Sequence, residues 1–106
     1  MVINITIEEV KSILDDSNTK IIDVRSPGEF SGGTIRGAIN IDLFDPEFMN
    51  MINELDKNKH YLMLCLSGNR SGSAAGAMAQ LGFSNVANII GGMMSWDGEI
   101  AYPKAA

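Results

Sequence analysis

A lone cysteine, Cys65, stands where the apolar run Tyr61-Leu-Met-Leu gives way to a Ser/Gly/Asn loop and then to Arg70. A thiol at the carboxyl end of a buried parallel strand meets converging backbone N–H groups and the positive end of the next helix, both of which favour an anion. The thiolate is the nucleophile, yet an ordinary cysteine is only a few per cent ionised at neutral pH. Lowering its pKa from about 8.5 to about 6 needs roughly 3 kcal/mol of preferential stabilisation of the anion. Loop amides, a helix N-terminus and one arginine can supply that together. His60, the sole histidine, lies five residues back, roughly 16 Å along an extended strand. A Cys/His dyad is therefore not expected, and activation must be electrostatic.

Four residues, Leu66, Ser67, Gly68 and Asn69, separate Cys65 from Arg70. Their amides, with that of Arg70, predict a nest sized for a terminal sulfur atom. Cysteine phosphatases use a loop one residue longer, so the shorter cradle favours a persulfide over a phosphocysteine. Arg70 reads as a loop brace and anion ligand. Arg25, Arg36 and Arg70 all fall in segments read as lying at or just after the carboxyl ends of strands, whereas Lys11, Lys20, Lys57, Lys59 and Lys104 lie elsewhere. This predicts a small cationic pocket suited to an oxyanion, with Arg25 and Arg36 as further anion-binding candidates. Arg36 reads equally well as a solvated loop residue. Asp23 and Glu29 are assigned to structural support, because a carboxylate beside the thiolate would oppose its ionisation. Trp96 reads as a core anchor or as part of the pocket mouth. Met93 and Met94, beside Gly91-Gly92, could form an apolar lip.

These groups need elements to hold them. Thr6-Ile-Glu-Glu9 has capping-box form, and Ile7, Val10, Ile13 and Leu14 continue at helical spacing. Strands are predicted at Lys20–Val24, Ala38–Ile41, Tyr61–Cys65 and Val86–Ile90, the third being apolar enough to be central. A helical turn is expected around Glu29-Phe30-Ser31. Asp45 reads as the N-cap of a helix starting at Pro46 and carrying Phe48, Met51, Ile52 and Leu55. A further helix carries Ala74, Ala77, Met78 and Leu81 and stops at Gly82, and a short one runs from Met93 to Asp97. Alternating strands and helices imply a parallel α/β sheet covered on both faces.

The chain has 106 residues, of which 45% are hydrophobic and 20% charged, so residues 1–106 are expected to form one domain. A net charge of −5 argues against nucleic acid and against a polybasic membrane surface. No apolar run approaches a membrane span, and the amino end lacks a leader pattern, so a cytoplasmic location is expected. One cysteine excludes an internal disulfide and leaves too few thiols for structural zinc. Neither metal nor cofactor is expected.

Four blocks then converge. Ile22-Asp-Val-Arg25 with Glu29-Phe30, Gly33-Thr-Ile-Arg-Gly-Ala-Ile-Asn-Ile41, Cys65-Leu-Ser-Gly-Asn-Arg70-Ser71, and Gly91-Gly92 with Trp96 occur in an order and spacing that resemble a single-domain rhodanese. One departure is Thr34, where the family often has histidine. The resemblance implies a five-stranded parallel sheet, a cysteine persulfide, and transfer of sulfane sulfur from a donor such as thiosulfate to cyanide or a thiol. The alternatives are a persulfide relay for a protein partner, or a phosphatase or arsenate reductase of related fold.

Overall fold

The computed structural model describes residues 2–103; Lys104 lies outside them. Five strands, β1 (Ile3–Ile5), β2 (Thr19–Asp23), β3 (Ile39–Asn40), β4 (His60–Leu64) and β5 (Val86–Ile89), alternate with five helices. These are α1 (Ile7–Ile13), α2 (Pro27–Ser31), α3 (Phe48–Asn53), α4 (Asn69–Gln80) and α5 (Gly92–Ser95). All strand pairs are parallel and the order is β1-β5-β4-β2-β3, which puts β4 at the centre. The fold is α/β, as the alternation predicts. Among the described residues no helix is long and apolar enough to cross a membrane.

Period-two alternation sorts the strands onto two cores. Ile22, Tyr61, Met63, Cys65 and Val86 face one way and pack with Phe48 and Ile52 of α3 and Ala74, Ala75 and Met78 of α4. Ile21, Leu62, Leu64, Ala87 and Ile89 face the other way and meet Ile7 and Val10 of α1 and Trp96 after α5. Fully burying each aliphatic side chain contributes about 1.5–3 kcal/mol. Both layers thus hold β4 rigid up to Cys65.

Three sequence expectations shift. The strand β1 adds to the predicted four: its three residues pair only with β5 at the sheet edge and carry no pattern of their own. Asp45 does not cap a helix: its carboxylate accepts from the Glu47 N–H at 2.8 Å in an Asx-type turn, and α3 starts at Phe48. The buried stripe of α4 is Ser71, Ala74, Ala75 and Met78, with Ala77 only half-buried. That rotation turns Ser71 toward the sheet beside Cys65.

Candidate active site

Cys65 immediately follows the central strand and is fully buried. Its carbonyl accepts from the Met93 N–H at 2.9 Å, and the Leu66 carbonyl accepts from the Met94 N–H at 2.9 Å, so the chain after β5 clamps the thiol's own backbone. Gly92 makes this clamp possible. Its φ is +53°, and a Cβ there would collide with the backbone carbonyl oxygens of Cys65 and Leu66.

On the other side, the loop folds back over the sulfur. Gly68, at φ +106°, reverses the chain and aims its N–H at Cys65 Sγ from 3.0 Å. The Ser71 hydroxyl lies 3.2 Å from Sγ. Burial pushes the Cys65 pKa up, but the Ser71 hydroxyl and the N–H groups of Ser71, Gly68 and Ser67 outweigh it, leaving the thiol below its ordinary value. The contributing amides differ from the full semicircle read from sequence. Ser67, Gly68 and Ser71 address the sulfur, while Asn69 and Arg70 already belong to the first turn of α4.

Ser71 brings in Asn88, which the sequence analysis did not single out. Asn88 sits on β5 on the same side as Cys65, and its Nδ2 donates to the Gly68 carbonyl at 3.1 Å. That bond orients the amide so that Oδ1 accepts from the Ser71 hydroxyl at 2.6 Å. One hydroxyl proton therefore has two acceptors, Asn88 Oδ1 and Cys65 Sγ. The signal in the sequence was a polar residue inside an otherwise apolar strand.

Arg70 forks onto Glu29, with Nη1–Oε1 at 2.9 Å and Nη2–Oε2 at 3.0 Å, tying α4 to α2 across the sheet end. The hydrogen bond from Arg70 holds the Glu29 pKa down to about 2 against a smaller opposing effect of burial, and Ser26 assists. Glu29 is also half of a reciprocal cap with Ser26, which starts α2. Both ends of the brace are thereby fixed.

Arg25 is placed differently from the anion-binding expectation. It is buried, and its Nε and Nη2 engage Asp23 at 3.0 and 2.8 Å while Nη2 also reaches the Gly33 carbonyl at 2.7 Å. Thr34 Oγ1 donates to the second oxygen of Asp23 at 2.8 Å, and its backbone bridges to Ala101. Thr34, standing where the family often has histidine, is thus integrated into the buried pair. Arg36 does not lie at a strand carboxyl end. It precedes β3, pairs with Asp15 at 2.8 Å, and lines a cavity of about 250 Å³ with Leu14, Thr19 and Lys20, at the amino ends of the strands. The three-arginine cationic pocket is therefore not assembled: the sequence reading put Arg36 at a strand carboxyl end, whereas it precedes β3 and is held by Asp15. Trp96 is buried among the second core's side chains and donates its indole N–H to the Glu99 carbonyl at 3.0 Å, so it anchors the chain after α5.

Comparison with known proteins agrees with this architecture. The Rhodanese-like domain family matches residues 6–99. The chain is 41% identical over 85 residues to a Bacillus subtilis protein provisionally named a sulfurtransferase, YtwF, covering 79% of each. It is 36% identical over 96 residues to a Bacillus subtilis protein provisionally named a sulfur carrier, YrkF, covering 90% of this chain but 51% of that relative, so it spans about half the relative's length. A crystal structure of a rhodanese-related protein from Thermoplasma volcanium superposes with a TM-score of 0.85 at 28% identity, covering 95% of this chain and 99% of that one. The thiol at the end of the central strand, its short loop and these likenesses place the chain in the rhodanese-like domain family.

Proposed function

We propose that the chain is a sulfurtransferase that moves sulfane sulfur from thiosulfate or a similar donor to a thiophilic acceptor through a persulfide on Cys65. The observation that carries this reading is a buried thiol held below its ordinary pKa by N–H and O–H donors. Such donors oppose protonation of the sulfur and then hold the terminal sulfur as it gains charge. With thiosulfate, the Cys65 thiolate attacks the outer sulfur, the S–S bond breaks, and its electron pair leaves with sulfite. An acceptor such as cyanide or a thiol then attacks the terminal sulfur and restores the thiolate.

Two half-reactions give ping-pong kinetics. This chain has no second cysteine, so the acceptor comes from outside it. A persulfide-bearing protein is a further source or destination of the sulfur, and both half-reactions are assigned to this one domain. A reducing compartment such as the cytoplasm suits the free thiol. The roles proposed are Cys65 as nucleophile, Ser67, Gly68 and Ser71 as the donors around its sulfur, Leu66 and Asn69 as flanking loop positions, and Arg70 as brace.

The test is to incubate the protein with thiosulfate, record the intact mass, add cyanide and assay thiocyanate. Gain of one sulfur atom, lost with cyanide and absent in Cys65→Ser, supports the reading. Failure to take up sulfur, with turnover of an aryl phosphate instead, overturns it.

A further inference from the structure

At the end of the sheet opposite Cys65, β2 leaves part of one edge unpaired. In a parallel sheet, alternate residues direct their backbone N–H and C=O groups to opposite neighbours. Asn18 and Val24 face β4: the Asn18 carbonyl accepts from the His60 N–H at 2.9 Å, and the Val24 N–H donates to the Leu64 carbonyl at 2.9 Å. Asp23 faces the other way, its carbonyl accepting from the Ile41 N–H at 3.0 Å. Thr19 and Ile21, in step with Asp23, therefore point toward β3. That strand does not reach them. Its register with β2 begins at the Ile22–Ile39 pair, and before it the chain bends at Gly37, whose φ is +84°.

The Thr19 N–H is taken by the Asp16 carbonyl at 3.0 Å. Among the described residues, the Thr19 carbonyl and the Ile21 N–H have no hydrogen-bond partner, although both residues are buried. Buried backbone polar groups are almost always paired, so this donor and acceptor call for a partner from outside. They border the cavity of about 250 Å³ that Leu14, Arg36 and Gly37 also line. Of the two carboxylates beside it, Asp16 accepts from the Asn18 N–H at 2.9 Å and Asp15 meets Arg36 at 2.8 Å. The Arg36–Asp15 pair is exposed on both sides, a weak tie that a second carboxylate can share.

The unpaired groups specify one ligand residue. Its N–H would donate to the Thr19 carbonyl and its own C=O would accept from the Ile21 N–H, which is the parallel-strand pattern. The ligand chain cannot run on past that C=O, because β3 occupies the edge from Ile22 onward. The C=O must then be a chain end, and Arg36 lines the same cavity to take the second oxygen of a carboxylate. We infer that this cavity binds the carboxyl-terminal residue of a peptide, laid against β2 as a one-residue extension of the sheet. Its volume suits a last residue with a small side chain.

The test is titration of the nitrogen-15-labelled protein with acetyl-glycyl-alanine and, separately, with its carboxamide, followed through amide chemical shifts. The free acid should move the Ile21 amide signal saturably and downfield, as that N–H gains an acceptor. The carboxamide should bind at least about tenfold more weakly, and Arg36→Gln, with its spectrum otherwise folded, should weaken the acid by about the same factor. Asp15→Asn should strengthen binding, because it leaves Arg36 to the ligand. No saturable shift of Ile21 at millimolar peptide would mean that water alone completes this edge, and it overturns the assignment. Equal binding of acid and carboxamide, or binding indifferent to Arg36→Gln, overturns it as well.

Discussion

Replacing Ser71 with alanine probes the electrostatics of Cys65 with the smallest change in shape. The hydroxyl lies 3.2 Å from Sγ, so the variant removes one donor to a charged sulfur. Hydrogen bonds to charged groups contribute about 1.5–3 kcal/mol. The same proton is drawn to Asn88 Oδ1 at 2.6 Å, so ionising the thiol sacrifices a neutral hydrogen bond of about 1 kcal/mol. The net effect is about 1–2 kcal/mol, or about one pKa unit upward. The sign follows from charge: losing a donor to the thiolate destabilises the anion and leaves less of it at neutral pH. Ultraviolet thiolate absorbance and iodoacetamide alkylation rates across pH both report the shift. Sulfur loading should fall about tenfold at a pH below the unaltered midpoint and recover at high pH, and Ser71→Thr should restore the profile. An unchanged or lower midpoint in Ser71→Ala would refute the assignment of the hydroxyl to the sulfur.

Further consequences separate bracing from chemistry. Arg25→Ala leaves Asp23 buried without its ion-pair partner and should lower stability by about 3–5 kcal/mol in urea titration, without a selective rise in the KM for thiosulfate; such a selective rise would return Arg25 to the anion-binding role. The Glu29 pKa of about 2 lies below its unfolded value. Its stabilisation, about 1 kcal/mol after screening at this partly exposed pair, is present above about pH 4.5 and lost as pH falls toward 2. Denaturation curves of Arg70→Ala and the unaltered protein should therefore converge in acid, and a constant gap would contradict the pairing. Gly92→Ala should lower the melting temperature by at least several degrees, because the new methyl meets backbone carbonyls rather than a flexible side chain. Asn88→Ala should change the Cys65 midpoint by different amounts when made in the unaltered protein and when made on top of Ser71→Ala; identical changes would show that Asn88 acts on Gly68 alone.

Much of the fold is legible in the chain because its signals are local. The Thr6–Glu9 capping box, the apolar run before Cys65 and the turn at Gly82 each sit within a few residues of the structure they specify. β1 has no such signal, since three residues make a strand only when β5 is already beside them. Around the thiol, sequence spacing locates the loop but not the partners that arrive from distant elements. Asn88 reaches Ser71 and Gly68 from β5, and Glu29 meets Arg70 across 41 positions. Charge type alone was also insufficient for the arginines: Arg25 and Arg36 are cations in the sequence, but Asp23 and Asp15 claim them in the fold.

Main-chain and hydroxyl donors overcome burial and hold the lone sulfhydryl below its ordinary pKa. Titration of the thiolate absorbance of the unaltered protein, with Cys65→Ser subtracted as the blank, tests it most directly. A midpoint below the ordinary cysteine value of about 8.5, coinciding with the pH dependence of sulfur loading, is the predicted result. A midpoint at or above that value would contradict it.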